Sequence, residues 1–285
     1  MNRLDGKTAV LTGGTSGIGR ATAMGLAQRG ARLVVLGRDP ARCDETLSAI
    51  AAETGRTDVT LVRCDLASLG GVRAAAAAVL DRVESIDVLV NNAGITLADR
   101  QLTDDGFEMT FAVNHLAYFL LTGLLLPRLR EAPAARIVNV ASDAHRFVSR
   151  LDLDDLGRER GYGAMRVYGE SKAANILFTR ELAKRLDGSG ITVNALHPGG
   201  IRSNLGANQG PLLGLVHRVV SVFLKSPEVG ARTSLYLATD PGVEGRSGGY
   251  FVKSREVTPK AFARDDATAA RLWEISEQMT GFSYP

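Results

Sequence analysis

"TAVLTGGTSGIGRATAMGLA", residues 8–27, changes its period halfway along. Thr8–Thr12 is a short run of strand-forming residues, and Gly13 and Gly14 end it. From Gly17 onward, small and apolar residues recur at helical spacing. Strand, glycine turn and helix in that order open a βα unit. Glycines in such a turn let the backbone come close to a phosphate, and the N–H groups that start a helix favour negative charge. An ordinary glycine-rich turn reads the same way in isolation. The glycines Gly13, Gly17 and Gly19 also depart from G-x-G-x-x-G, with one more residue before the glycine pair.

The pattern repeats along the chain. "RLVVL" (32–36), "VTLVRC" (59–64), "DVLVN" (87–91), "RIVNVAS" (136–142), "ITVNALH" (191–197) and "GYFV" (249–252) read as further strands, separated by alanine- and leucine-rich helical windows. The strand runs are continuously apolar, as expected when both faces of a parallel sheet are covered. Strand–helix alternation predicts an α/β, Rossmann-like, doubly wound parallel sheet of about seven strands with helices on both faces. No linker or repeat divides the chain. One domain over 1–285 is expected, with a nucleotide-binding part at about 1–135 and a catalytic and substrate part at about 136–285.

Composition narrows the function classes. The 285 residues are 45% hydrophobic and 23% charged, enough for a sizeable core, and the net charge is +3. No basic run interleaved with aromatics points to nucleic acid. Cys43 and Cys64 show neither metal spacing nor a disulfide framework, which fits a reducing cytoplasm, and no metal site is expected. The N-terminus runs into the first strand without an apolar leader. The greasiest stretch, "LAYFLLTGLLLP" (116–127), is twelve residues long and is expected to stop at Pro127 as a buried helix, since a membrane span needs about twenty.

"RVYGESKAANI" (166–176) places Tyr168 and Lys172 four apart, on one helix face. Such a pair is commonly a surface accident. Here it stands in an ordered series: Thr12-Gly13-x-x-x-Gly17-x-Gly19, "NNAG" (91–94), Asn114 in "VNHL", Ser142 ending the fifth strand, Tyr168-x-x-x-Lys172 and "HPGG" (197–200). In that order the motifs resemble the short-chain dehydrogenase/reductase family over nearly the whole chain. The wording of "ARIVNVAS", "SKAANILFTRELAKRL" and "TVNALHPG" looks most like the retinol-dehydrogenase-like branch, which also resembles protochlorophyllide reductases and bacterial polyketide ketone reductases.

The resemblance implies hydride transfer between a nicotinamide and an alcohol or carbonyl, with Tyr168 as acid–base group. Tyrosine titrates near 10, so reaching phenolate at neutral pH costs roughly 4 kcal/mol unassisted. An ammonium within a few ångströms lowers that cost, and Lys172 is placed to supply it. Ser142 would hydrogen-bond the substrate oxygen where charge develops. Asn114 would hold a water linking Lys172 to solvent. Tyr162 is the rival tyrosine, without a lysine four residues on. His115, His145 and His197 read as structural or pocket-lining.

For the cofactor, the resemblance assigns Gly13, Thr15, Ser16, Gly17, Ile18 and Gly19 in the loop, and Asp65 and Leu66 after the third strand. It adds Asn91, Ala93 and Gly94 of "NNAG", then Tyr168 and Lys172, then Pro198, Gly199, Ile201 and Ser203. Members using NAD carry an acidic residue at the end of the second strand; here Gly37 stands there and Arg38 follows. A guanidinium suits a ribose phosphate, so NADP(H) is expected. Asp39-Pro40 reads as a helix cap followed by proline at the first helical position, and a carboxylate at position 37 is expected to shift preference toward NADH. The insert 143–167 and an apolar stretch at 204–226 read as cover for a bulky hydrophobic substrate, the latter as a lid. A homo-oligomer and a non-catalytic NADP sensor on the same fold stay open.

Overall fold

The computed structural model describes residues 3–199 and 226–285. Ile201, Ser203 and all but the last residue of the expected lid lie outside them. Each expected strand forms, as β1 Thr8–Thr12, β2 Arg32–Gly37, β3 Val59–Arg63, β4 Val88–Asn91, β5 Arg136–Val140, β6 Thr192–His197 and β7 Tyr250–Val252. They lie in the order β3-β2-β1-β4-β5-β6-β7, and every pairing among them is parallel. The expectation of about seven strands misses one. A two-residue strand, β8 Arg255–Glu256, pairs antiparallel with β7. The turn between them, Lys253-Ser254, has φ of 51° and 59° at both residues. That is the conformation of a tight hairpin, which Asn-Gly usually announces and Lys-Ser does not.

Side-chain alternation divides each strand between two cores. Val10, Val34, Leu36, Val62 and Leu89 pack with α3 (Leu69–Leu80) and α4 (Met109–Arg130), and with Phe178 and Leu182 of α5 (Ala164–Arg185). Ala9, Leu11, Leu33, Val35 and Val90 pack on the other face with Leu26 of α1 (Gly17–Ala27) and Leu237 of α6 (Pro227–Thr239). Helix α2 (Pro40–Thr54) follows β2, and α7 (Asp266–Thr280) packs against α5 near the C-terminus. The strand order reverses between β1 and β4, and a crevice at the carboxyl ends of a doubly wound sheet opens at such a point.

Helix α4 corrects the twelve-residue reading. It runs 22 residues from Met109 to Arg130, with Pro127 in its last turn, and by length and composition it could cross a membrane. Its apolar window is 89% buried inside the fold, where it is the central helix of one core. Its first turns contain a π-helical turn at Ala112–Leu116, with the Ala117 N–H bonded to the Ala112 carbonyl.

Near the C-terminus, Phe119, Phe178, Trp273 and Tyr284 form one aromatic group. Trp273 stands 5.0 Å from Phe119 and 4.5 Å from Tyr284, ring centre to ring centre. The Tyr284 hydroxyl donates to the Phe119 carbonyl at 2.6 Å, and the Arg185 guanidinium lies 4.2 Å from the Trp273 ring centre.

Candidate active site

The glycine loop and "NNAG" meet at the β1/β4 reversal. Gly13 has φ of 66°, and a Cβ there would stand 2.9 Å from the Ala93 Cα. A Cβ on Gly19 would overlap the Gly13 carbonyl oxygen. Thr12 Oγ1 accepts from the N–H groups of Asn92 (2.9 Å) and Ala93 (3.1 Å), and the Asn92 amide donates back to the Thr12 carbonyl at 2.9 Å. The two strand ends are thereby laced together. Ser16 precedes α1 without a side-chain cap bond, and no acidic residue stands in the first turn. By contrast, α2 is capped by Asp39 and α3 by Ser68. Uncapped N–H groups behind a glycine cradle fit the pyrophosphate of a dinucleotide.

Around the adenosine side the residues divide. Asp39 Oδ1 accepts from Ala41 N (3.0 Å) and Arg42 N (3.3 Å), the expected cap, and so faces its own helix. Arg38 is exposed beside buried Gly37. A Cβ on Gly37 would stand 2.8 Å from Thr15 Cγ2 and 2.9 Å from Cys43 Sγ. A side chain at position 37 therefore needs the Thr15 and Cys43 side chains to shift. Asp65 is exposed, with its carboxylate accepting from Ala67 N at 3.0 Å, and Leu66 is half-buried. The Asn91 amide is engaged inside the fold, donating to Thr122 Oγ1 and Asn139 Oδ1 at 2.9 Å each.

On the catalytic side, Ser142 leaves the end of β5 and caps a single turn, Asp143–Phe147, by accepting from Ala144 N at 3.1 Å. Its hydroxyl lies near enough to the Tyr168 phenol to favour the phenolate. Lys172 is 2% exposed; its Nζ donates to the Val140 carbonyl at 3.0 Å and stands 5.7 Å from the ring centres of both Tyr118 and Tyr168. Asn114 sits in the π turn. Its Oδ1 accepts from Ile95 N (2.8 Å), and its Nδ2 donates to the Ile95 carbonyl and to Ser171 Oγ (2.9 Å each). Ser171 in turn donates to the Tyr168 carbonyl at 2.8 Å. The amide's oxygen accepts one N–H and both its hydrogens are donated to protein, which fixes Asn114 beside Lys172. A Cβ on Gly94 would stand 3.2 Å from Lys172 Nζ and 3.3 Å from Asn114 Oδ1. Lys172 and Asn114, two of the four expected catalytic residues, therefore converge over one glycine.

Burial sets the charges. It lowers the Lys172 amine to about 7 and pushes the Tyr168 phenol up to about 12, with the Ser142 hydroxyl pulling the phenol the other way. Desolvation is the larger influence on the phenol. Tyr168 is therefore a protonated donor at neutral pH. The rival Tyr162 donates its hydroxyl to the Leu97 carbonyl at 2.9 Å. His115 meets Ser276 Oγ at 2.9 Å and is lowered to about 3 by burial, a neutral core residue. His145 Nδ1 lies 2.7 Å from the Ser142 carbonyl, and His197 Nδ1 accepts from Asp143 N at 3.2 Å; both brace the backbone around Ser142. Sequence reasoning missed Thr12, Asn92, Ser171 and Tyr118, whose hydroxyl donates to the Ala93 carbonyl at 2.7 Å. The available signal was their adjacency to motif residues.

Comparison with known proteins agrees with this geometry. The family model described as short chain dehydrogenase matches residues 7–211. Human retinol dehydrogenase 14 is 45% identical, over 98% of this chain and 87% of that protein. The crystal structure of an uncharacterised protein from Mycobacterium paratuberculosis superposes with a TM-score of 0.81 at 34% identity, covering 100% of this chain and 97% of its own. The Pseudomonas aeruginosa RhlG/NADP active-site complex gives 0.69 at 29% identity, over 87% and 94% of the two chains. With its glycine loop, its Ser142–Tyr168–Lys172 cluster and these matches, the chain belongs to the short-chain dehydrogenase family, in the retinol-dehydrogenase-like branch, and is an oxidoreductase acting between CH–OH and C=O with a nicotinamide cofactor.

Proposed function

We propose that the chain is an NADP(H)-dependent carbonyl reductase and alcohol dehydrogenase for bulky hydrophobic ketones, aldehydes or alcohols, working chiefly in reduction. The observation that carries the reading is the placement of the acid–base pair: Lys172, 2% exposed, holds its Nζ 5.7 Å from the Tyr168 ring centre, and Ser142 leaves the end of β5 beside them. The nicotinamide, when bound, supplies the hydride. The Ser142 hydroxyl holds the substrate oxygen, and Tyr168 gives that oxygen its proton as negative charge develops on it. Lys172 holds the nicotinamide ribose and, when charged, steadies the phenolate left behind. Ser203 and Ile201 belong to the same cofactor reading.

Support for NADP(H) comes from three neighbouring positions. Gly37 offers no carboxylate, Asp39 spends its own on a helix cap, and exposed Arg38 is free to meet a ribose phosphate. Support for a hydrophobic substrate comes from Phe147 and Met165, 76% and 56% exposed. They stand five residues after Ser142 and three before Tyr168, at the two ends of the segment that joins them. In this reading the apolar stretch 204–226 supplies a lid. The free thiols Cys43 and Cys64 suit a cytoplasmic enzyme. Consumption of NADPH and NADH, followed over carbonyls from acetone to polycyclic ketones, tests the reading. It expects NADPH turnover that rises with substrate bulk. Preference for NADH, or equal rates for small polar carbonyls, would overturn it.

A further inference from the structure

The segment joining Ser142 to Tyr168 is tied down along its length. Leu151 and Leu156 are buried with Phe111 of α4 and with Ala174 and Leu177 of α5. Arg100 Nε donates to the Gly157 carbonyl at 2.7 Å. Next comes Arg158, 3% exposed, with φ of 53°. A non-glycine residue held in that left-handed region, with a charged side chain turned inward, is kept there by strong surroundings. Its guanidinium pairs with Glu170 and lies 3.8 Å from Asp152 Oδ2. The second Glu170 oxygen accepts from Arg166 Nε at 3.1 Å.

Glu170 is two residues past Tyr168, and the helix there is intrinsically weak. Gly163 precedes α5 without a side-chain cap bond, and no acidic residue complements its first turn. Gly169 adjoins Tyr168 inside the helix, where glycine is a poor helix former. It is required there, because a Cβ would stand 2.7 Å from the Ala144 carbonyl. The turns that carry the acid therefore need an outside brace.

We propose that Arg158 is a positioning residue: its buried pair with Glu170 locks the first turns of α5, and with them the Tyr168 hydroxyl, against the 148–163 segment. The kinetic part of this inference rests on the carbonyl-reductase reading; the structural part does not. Removing Arg158 leaves the Glu170 carboxylate buried with only the half-exposed Arg166 as cation and with Asp152 as a like charge. Burial already raises Glu170 above the ordinary carboxylate range. An unpaired Glu170 is tolerated when protonated and resisted when ionised, so the brace fails as pH rises. Replacing both partners by apolar residues of similar length removes both fully buried charges, while Arg166 keeps its solvent and Asp152 keeps Arg160.

The test follows amide hydrogen exchange over residues 164–172, together with kcat and the KM for NADPH on a reducible carbonyl. In Arg158→Met, exchange in these turns quickens by at least about tenfold, more at neutral than at acidic pH. Its kcat falls up to about a hundredfold, with the KM for NADPH nearly unchanged. Arg158→Met combined with Glu170→Met recovers both protection and kcat to within about threefold of the original protein. Arg158→Lys falls between, keeping the charge but not the planar fork. Exchange unaltered in Arg158→Met overturns the proposal, as does a double variant that regains protection but not kcat. If Arg158→Met does not fold, the double variant and Arg158→Lys decide. If the original protein reduces no carbonyl tried, the reductase reading fails while exchange still judges the brace.

Discussion

The two edges of the crevice are built from different materials. The phosphate edge is backbone against backbone: Gly13 abuts Ala93, and Gly19 abuts Gly13. The catalytic edge is side chain to backbone: Lys172 on Val140, Asn114 on Ile95, Tyr118 on Ala93 and Ser171 on Tyr168. Close-packed backbone tolerates no added atom, so changes there act sterically and strike cofactor binding. A hydrogen-bonded lattice loses one contact at a time, so changes there strike turnover and pH response while the cofactor still binds.

The largest separation between the edges is expected from Tyr168→Phe, which keeps the ring and removes the proton. Turnover should fall by about 10²–10⁴, the range for a general acid, with NADPH binding near normal. Retention of over about a tenth of the original rate would move the acid elsewhere, Tyr162 first. Next comes Gly19→Ala, whose methyl has no room beside the Gly13 carbonyl. A cost of about 3 kcal/mol, roughly a hundredfold in NADPH affinity by fluorescence titration, is expected. Undiminished binding would mean that the loop gives way and the rigid-edge picture is wrong. Arg38→Ala follows, expected to weaken NADPH by about 2 kcal/mol through a lost charge-assisted contact while NADH barely responds. Equal losses for both would make Arg38 a support of the loop.

The smallest effect sharpens the catalytic edge. With its amine lowered from the usual 10.5 to about 7, Lys172 in the folded chain binds fewer protons than in the unfolded chain between those values. Stability from this group thus rises with pH across that window, and the full penalty is present below it. Lys172→Met should abolish turnover yet raise the Tm of the cofactor-free protein by about 2–4 °C for each kcal/mol relieved, most clearly below about pH 7. The gain should shrink as pH approaches about 10. A variant equally stabilised, or destabilised, at all pH values would show that the amine is not held in its neutral form by burial.

The sequence made the parallel sheet legible because buried strands must be apolar on both faces, and their short length and regular alternation with helical windows separate them from buried helix. The Asp39 cap was legible for a local reason too, since Asp-Pro at a helix start satisfies nearby N–H groups. What stayed hidden depends on distance. β8 hangs on two positive-φ residues that are not the usual turn formers. The inward Asn91 amide needs Thr122 and Asn139, from α4 and β5, to be seen as core. Arg158 and Glu170 are twelve apart across a segment whose path no periodicity dictates. The rise of the Tyr168 phenol was hidden as well, since spacing shows which charges are near but not how much water is gone.

Trp273 is the only tryptophan in the chain, and it is wedged between Phe119, Phe178 and Tyr284 under the Arg185 guanidinium. Its emission is therefore a built-in optical gauge of one seam, where the C-terminal helix meets the helix that carries the catalytic pair, and is blind to the nucleotide side. A red shift that precedes the loss of far-ultraviolet ellipticity on heating would mean that the seam unzips while the sheet is still intact. Coincident transitions would mean that the two halves melt as one.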